Sequence, residues 1–339
     1  MRMTKLILGL LLLGCFLAGY GTKLRQVAMI DLPGDPGFNQ VSIANGQVVI
    51  SRPGTNSIEI FSPVKRRIIA RISQVEDPRG IAVDDTALRV YVALAGSNRI
   101  AVIDSKTWQV EKLIPVQHRP ETLLWLPETR TLYLTSTLDQ TLTLVDPQAG
   151  SETAAIELNA LPQDMAYDDA RKMLLVSLED RSEIAAIDES HQIADRFKLN
   201  ASEPTGLALD GAHRRLYVAV RYAVLVLNAD TGAELLRIPA PGGTNTLVLD
   251  PDGNHLYAAG GDGSVLAIDL TRNVVDHELP TDVKGYSLAY DPSHKMLFMP
   301  GGREGRSKMV ILSPFPAGEQ NAPATASQKS NPSDQTAKK

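Results

Sequence analysis

The chain has 339 residues, of which 43% are hydrophobic and 22% are charged, and its formal net charge is -5. This composition is typical of a soluble globular protein with a large core. The weakly acidic balance argues against a nucleic-acid partner and against a membrane-surface partner held by charge.

The first 21 residues have the pattern of a bacterial secretory signal. Basic residues precede an apolar run over residues 6–17, which is too short for a comfortable membrane span, and small residues follow. Cys15, the only cysteine, follows a glycine in this run and resembles the lipidated cysteine of a lipoprotein signal. Two outcomes stay open: lipidation of Cys15, or cleavage after Gly19 or Gly21. Both predict an exported body, in the periplasm or anchored to the outer membrane of a Gram-negative bacterium.

A four-residue strand motif, apolar-aromatic-apolar-small, recurs along the chain every 40 to 42 residues. Clear copies begin at Val90, Leu132, Leu174, Leu216 and Leu256, and weaker copies are centred on Val49 and Phe298. A unit of this length supplies one small sheet that cannot bury its faces alone, so successive units stack radially as blades. Seven copies therefore predict an all-β, seven-bladed β-propeller with four antiparallel strands per blade.

Each unit contains four strand signals separated by Gly, Pro, Asn and Asp. In the second unit these signals cover residues 80–83, 88–94, 99–103 and 109–116. A short polar residue closes the third strand of every unit, at Ser62, Asp104, Asp146, Asp188, Asn228, Asp269 and Ser313. Its side chain is expected to hydrogen-bond backbone groups just downstream and so to shape the following turn.

The last unit lacks a fourth strand, and a spare strand lies at the front of the chain. From Ala317 onward the chain has no aromatic or branched aliphatic side chain, and we assign residues 315–339 to a disordered tail. Residues 24–32 have the character of an outer strand and are expected to complete the seventh blade, which removes the open edges of an unclosed ring. The predicted propeller therefore covers residues 22–314 and is closed by its N-terminal strand.

The motif strands resemble the YVTN repeat of bacterial seven-bladed propellers, which are often exported to the cell envelope. The resemblance covers roughly residues 24–314 and is carried by the strands at 90–93, 132–135 and 216–219 and by the VID, LVD and AID strand ends. It implies the propeller fold and, as for most described members, a binding or scaffolding role. Some members resemble the propeller parts of redox enzymes, so association with a periplasmic redox or quinoprotein system is a further alternative.

The residue that enters the innermost strand of each blade is polar in every unit. These residues are Asn39, Arg79, Glu121, Gln163, Thr205, Asn245 and Tyr286. In a propeller they surround one mouth of the central channel, where a small ligand or a loop of a partner would bind. Strand ends beside loops and the walls of a water-filled channel are also polar, so a purely structural interpretation stays open and is favoured.

Basic residues collect in segments expected on the same face as this mouth. They are Arg52, His118, Arg119, Arg181, Arg221, Arg303 and Arg306, in addition to Arg79. Because the planar guanidinium group suits carboxylates and phosphates, an arginine-rich face predicts a small anionic ligand or an acidic partner segment. Acidic residues share these loops and favour solvated salt bridges instead: Asp139, Glu179, Asp180, Glu183, Asp262 and Glu304.

The sequence carries no recognisable motif for metal binding or covalent catalysis. The histidines show no paired metal-ligand spacing, and there is no nucleophile elbow and no phosphate-binding loop before a helix. We therefore expect neither a metal nor a cofactor. The enzymatic alternative is a lactonase-like hydrolase of a small anionic substrate, with Glu121 and either Arg79 or Arg119 at its site.

These features favour a non-catalytic scaffold of the cell envelope that binds through its polar, arginine-rich face. The expected partner is another envelope protein or a small anionic ligand. Contact with a membrane is expected only through a lipid on Cys15, and the expected oligomeric state is a monomer.

Overall fold

The structure, a computed structural model, describes residues 21–250 and 254–317. Its strands form seven separate sheets of four antiparallel strands, arranged around a central channel as the blades of a propeller. The predicted fold class is confirmed. Within the described ranges the regular structure outside the strands is limited to short 3₁₀ turns at Pro53–Thr55 and Glu179–Arg181. No helix in this part of the chain has the length and apolar character needed to span a membrane.

The strands of blades 1 to 6 follow chain order from the channel to the outer rim. The chain begins with β1 (Thr22–Asp31). Blade 1 contains β2 (Val41–Ala44), β3 (Gln47–Arg52), β4 (Ser57–Ser62) and β5 (Arg67–Ser73). Blade 2 contains β6 (Pro78–Asp84), β7 (Arg89–Leu94), β8 (Arg99–Asp104) and β9 (Val110–Pro115). Blade 3 contains β10 (Leu123–Leu126), β11 (Thr131–Ser136), β12 (Thr141–Asp146) and β13 (Ser151–Glu157).

The second half of the ring repeats this order. Blade 4 contains β14 (Pro162–Asp168), β15 (Met173–Leu178), β16 (Glu183–Ile187) and β17 (Ile193–Lys198). Blade 5 contains β18 (Leu207–Asp210), β19 (Arg215–Val220), β20 (Ala223–Asn228) and β21 (Glu234–Pro239). Blade 6 contains β22 (Thr246–Asp250), β23 (His255–Ala259), β24 (Ser264–Asp269) and β25 (Val274–Pro280). Blade 7 contains β26 (Ala289–Asp291), β27 (Met296–Arg303), β28 (Arg306–Pro316) and, on its outer side, β1.

Strand β1 closes the ring as the outermost strand of blade 7. It pairs with β28 from Thr22 opposite Pro316 to Asp31 opposite Lys308. In each blade the outermost strand carries one unpaired extra residue near the end of the third strand, and in β1 this residue is Val27. Such bulges increase the local twist of a strand pair. The front strand therefore takes the place of the missing fourth strand, as predicted, and reproduces its irregularity.

The start of β1 is also attached to blade 6. The N–H of Leu24 donates to Nδ1 of His277 at 2.9 Å, and the N–H of Thr22 donates to a carboxylate oxygen of Asp276 at 2.6 Å. Burial, with a smaller contribution from the charge of Lys23, lowers the pKa of His277, which favours the neutral ring that can accept this bond. Strand β1 is thus attached to two blades at once.

The core lies between the blades. Middle strands such as β7 and β8 are buried on both faces, because blades pack against them from either side, whereas outer strands such as β5 and β13 alternate between exposed and half-buried residues. Within the described ranges the buried apolar side chains form one cluster at each of the seven contacts between neighbouring blades. Motif tyrosines such as Tyr91 and Tyr217 lie inside these clusters. The strand motif therefore supplies the packing that holds each blade to the next.

In blades 1 to 6 the side chains that close the third strands act as predicted, whereas Ser313 does not close its strand, because β28 continues to Pro316. One carboxylate oxygen of Asp104 accepts hydrogen bonds from the N–H groups of Lys106 and Thr107, at 2.8 and 2.7 Å, and these bonds lower the pKa of Asp104. At the C-terminal end, strand β28 continues to Pro316, past the predicted propeller boundary at residue 314. Phe315 pairs with Lys23 and lies 5.4 Å below the Arg25 guanidinium group.

The predicted signal with Cys15, and the predicted tail from residue 318 onward, lie outside the described residues. The disc itself has two faces. We call the entry face the side formed by the segments that lead into each innermost strand and by the turns between second and third strands. The lower face carries the remaining turns, including those shaped by Asp104 and its equivalents.

Candidate binding site on the entry face

The residues predicted at the channel mouth come together around one cavity. This cavity has a volume of about 210 Å³, and six of the seven predicted residues line it: Asn39, Arg79, Glu121, Gln163, Asn245 and Tyr286. Thr205 is not part of its lining, and the Thr205 hydroxyl points to the carbonyl oxygens of Thr244 and Ala219 at 3.4 and 3.5 Å. The repeat alignment thus predicted positions that converge on the channel.

A second ring of polar side chains lies one residue deeper and was missed by sequence reasoning. Its members that line the cavity are Gln40, Thr122, Asp164, Thr246 and Ser287, and glycines occupy the same position at Gly80 and Gly206. The signal was present in the alignment, because this position is polar or glycine in every unit. Two successive positions at the start of each innermost strand therefore line the mouth with polar groups or glycine.

Members of the second ring connect neighbouring blades. The Gln40 side-chain oxygen accepts from the N–H of Ile81 at 2.7 Å, and a carboxylate oxygen of Asp164 accepts from the N–H of Leu207 at 2.9 Å. Burial raises the pKa of Asp164 to about 6, although the hydrogen bond from the N–H of Leu207 opposes the shift. This ring therefore has a structural role, whereas the first ring presents its polar groups to the channel opening.

The two asparagines of the first ring keep their side-chain amides available. Within the described ranges neither Asn39 nor Asn245 makes a side-chain hydrogen bond, and Asn245 is exposed. Gln163, by contrast, donates to a carboxylate oxygen of Glu179 at 2.5 Å. An amide offers both donors and an acceptor, so these asparagines suit a partner with mixed hydrogen-bonding groups.

The arginines of the entry face are largely neutralised by carboxylates. Arg79 lies 3.1 Å from Asp77, and Arg119 bridges Asp77 at 2.7 Å and Glu121. All four side chains are partly exposed, so each pair is a solvated salt bridge of modest strength. These contacts support the alternative in which the arginines are ion-paired instead of forming a free positive surface.

The other predicted basic residues divide into paired and unpaired sets. Arg181 lies 3.6 Å from Asp180, Arg221 is paired with Glu203, and Nδ1 of His118 lies 3.8 Å from Asp139. Within the described ranges Arg303 and Arg306 form no ion pair, and Arg303 contacts the Met29 sulfur at 3.7 Å. Among the predicted basic residues, those without an ion pair thus lie on blade 7.

Arg52 requires a correction, because it does not belong to an exposed face. Its side chain is fully buried beside Glu59, which is also fully buried, with 2.7 Å between Nη1 and a carboxylate oxygen. The guanidinium group also donates to the carbonyl oxygens of Pro33 and Asp35 and to the Ser307 hydroxyl, at 2.6, 2.7 and 2.9 Å. Arg52 therefore connects blade 1 to the chain leaving β1 and to blade 7.

A larger cavity of about 900 Å³ opens beside the channel mouth, where blade 7 meets blade 1. We call it the seam cavity. Residues 36–39, residues 284–287 and the β27–β28 hairpin line it, together with Asp262 and Asp282. It shares Asn39, Tyr286 and Ser287 with the channel cavity, so the two cavities adjoin on the entry face.

A cluster with metal-ligand atoms lies elsewhere, on the lower face of blade 6. His255, Asp269 and Asp276 place one ligand atom each within 4.8 Å of one another. Arg272 lies 2.8 Å from Asp269 and also pairs with Asp276, so a cation already neutralises both carboxylates. The Thr22 hydroxyl lies 2.7 Å from Nε2 of His255. The cluster is better described as part of the attachment of β1 to blade 6 than as a metal site.

Comparisons with known proteins agree with the architecture. A family model described as outer membrane protein assembly factor BamB matches residues 180–290, about a third of the chain. A chain of hydrazine synthase from Kuenenia stuttgartiensis is a solved structure of similar fold, with a TM-score of 0.72 and 15% identity over 82% of this chain and 96% of that chain. No curated protein matches this chain at a significant level. The resemblance to the YVTN family in particular stays a prediction.

Proposed function

We propose that the protein is a non-catalytic binding scaffold of the bacterial cell envelope, which engages another envelope protein through its entry face. The observation that carries this proposal is the convergence of six strand-entry side chains on one polar opening that adjoins the seam cavity. A rigid ring holds these groups in fixed positions without ordering a loop on binding, which lowers the entropic cost of association.

The matched family supports the proposed location and the kind of partner. Its description names an outer membrane protein assembly factor, and the match covers the second half of the ring. Export of this chain rests on the signal pattern of its first 21 residues. The proposal therefore places the propeller outside the cytoplasm, with or without a lipid on Cys15.

The ion pairs favour a partner that carries both hydrogen-bond donors and acceptors over a purely anionic one. Arg79, Arg119 and Arg221 already face carboxylates, so they offer little net positive charge to an anion. The same pairs weigh against the lactonase-like alternative. The Glu121 carboxylate is already held by the Arg119 guanidinium group as a member of an ion pair.

Affinity capture from solubilised cell envelopes tests the proposal. The double variant Gln163→Ala and Asn245→Ala removes amides at the mouth, and we expect it to lose the captured protein while keeping the melting temperature. Lys106→Ala, an exposed change on the lower face, is the matched control and should capture the protein as the wild type does. Capture that is equal for all three proteins contradicts the proposal. Lactone turnover that falls in Glu121→Gln would support the enzymatic alternative instead.

A further inference from the structure

The seam cavity arises where the ring departs from its own repeat. Strand β27 has eight residues, whereas the corresponding strand of the other blades has five or six. The hairpin closes through Glu304 and Gly305, both with positive φ, as a tight two-residue connection requires. Reciprocal backbone hydrogen bonds of 2.8 and 2.9 Å between Lys284 and Gly302 attach it to the entry segment of blade 7. This attachment makes the hairpin a fixed wall of the cavity.

The opposite wall is the segment between β1 and β2. The Arg52 guanidinium group lies 4.7 Å from the centre of the Phe38 ring and donates to two carbonyl oxygens of the same segment. On the channel side, Tyr286 is the only aromatic residue of the first ring, and 38% of its surface is exposed. Its hydroxyl donates to the carbonyl oxygen of Phe38 at 3.2 Å, which fixes the ring across the seam. The cavity therefore has rigid walls and an exposed aromatic surface.

Several polar side chains around this aromatic surface make no hydrogen bond to oxygen or nitrogen atoms of the protein. Within the described ranges Lys284, Asp282 and Glu304 form no side-chain hydrogen bond or ion pair, and Arg303 contacts only a methionine sulfur. Arg79, Arg119 and Arg221, on the same face, are paired with carboxylates. The seam cavity therefore offers donors and acceptors together, with no excess of positive charge.

We propose that the seam cavity binds a neutral saccharide. A sugar ring presents an apolar face of C–H groups to an aromatic ring and a dense edge of hydroxyls that both donate and accept. Lys284 and Arg303 supply donors, and Asp282 and Glu304 supply acceptors, around Tyr286. A small anion fits less well, because Asp262, Asp282 and Glu304 line the same cavity. The volume of about 900 Å³ admits an oligosaccharide segment. This inference rests on the proposed function, since it gives the scaffold face a ligand in addition to a protein partner.

Isothermal titration of the purified propeller with maltotetraose and chitotetraose, both neutral, tests the proposal. We expect one of them to bind, with an affinity about five- to tenfold lower in Tyr286→Ala, as the loss of one aromatic contact predicts. Tyr222→Ala is the matched control: Tyr222 lies on the same face in blade 5, is 67% exposed and is far from the seam along the ring. This control should bind within about twofold of the wild type. Arg303→Ala, on the exposed hairpin, should also weaken binding. It replaces Tyr286→Ala as the test variant if Tyr286→Ala lowers the melting temperature.

Failure to bind either neutral sugar at millimolar concentration overturns the inference, and so does equal binding by Tyr286→Ala, Arg303→Ala and the wild type. Binding that appears only with an oligogalacturonate and disappears in salt would show an anion site and likewise overturn it. The affinity capture described above tests the proposed function independently of sugar binding. A protein partner that depends on Gln163 and Asn245 would leave the proposed function standing even when no sugar binds.

Discussion

Arg52 is a charged side chain that the fold buries completely, and it determines the position of several parts of the seam. Its guanidinium group donates to one carboxylate oxygen of Glu59, to two carbonyl oxygens after β1 and to the Ser307 hydroxyl of blade 7. Removing one partner of a buried ion pair leaves the other charge without compensation, which costs far more than an exposed pair is worth.

Arg52→Ala should therefore lower the free energy of unfolding by about 3–5 kcal/mol. The control is Arg221→Ala, which breaks an exposed pair with Glu203 and should cost less than about 1 kcal/mol. Urea denaturation followed by circular dichroism measures both. If the two variants are equally stable, Arg52 does not hold blade 1, the segment after β1 and blade 7 together as described.

Asp164 gives the protein a pH dependence at the channel. Its pKa is raised to about 6 in the folded state, above the ordinary value of 3.8, so the folded protein binds this proton more readily than the unfolded chain. The resulting penalty develops as pH rises from about 4 to about 6 and is fully present above that range. At neutral pH the charged carboxylate therefore destabilises the fold.

Asp164→Asn keeps one oxygen that can accept from the N–H of Leu207 but loses the bond from the N–H of Met165. Because the amide does not ionise, the stability of this variant relative to the wild type should rise as the pH is raised from about 4 to 8. Asp104→Asn provides a control of opposite sign, because backbone hydrogen bonds lower the pKa of Asp104. That variant should be less stable than the wild type at pH 8. Melting temperatures across this pH range decide the question. A difference between Asp164→Asn and the wild type that stays constant from pH 4 to pH 8, or falls as the pH rises, contradicts the assignment.

At the scale of elements, strand β1 acts as the clasp of the ring. It supplies the outer strand of blade 7, the buried Leu24 and hydrogen bonds to His277 and Asp276 of blade 6. A chain without it would leave the β28 edge unpaired and the start of the ring unattached.

Deletion of residues 22–33 should therefore lower the melting temperature of the whole propeller and broaden its unfolding transition. Arg25→Ala, an exposed change on the same strand, should leave the melting temperature within a few degrees of the wild type. A synthetic peptide of residues 22–33 should restore part of the lost stability by pairing with β28. An undiminished melting temperature after the deletion would show that the ring does not need this strand.

The repeat explains why the elements could be predicted so fully from the sequence. Each blade solves the same packing problem, so the alternating strands, the closing Asp or Asn and the spare front strand all follow from one pattern. The first polar ring follows as well, because equivalent positions such as Gln163 and Asn245 must surround one axis. Arg52 and the seam cavity could not be predicted this way, since both lie where the pattern breaks. A signal for the buried pair was present in Glu59, a charge between the apolar residues Ile58 and Ile60 of strand β4 that requires a buried partner.

At the scale of the whole molecule, the ring places two kinds of surface on opposite sides. The lower face is built from turns that satisfy their own backbone groups, as at Asp104 and Asn228. The entry face holds the polar mouth, the seam cavity and the unpaired charges of blade 7. The channel cavity and the seam cavity thus open on the same side of the disc.

Site-specific photo-crosslinking in living cells tests most directly whether this side is the binding surface. A photoreactive residue at Asn245 reports on the channel mouth, and the same residue at Lys106 reports on the lower face. We predict a discrete crosslinked partner from position 245 and none from position 106. Crosslinks that form only from position 106, or equally from both positions, would contradict the entry face as the site of binding.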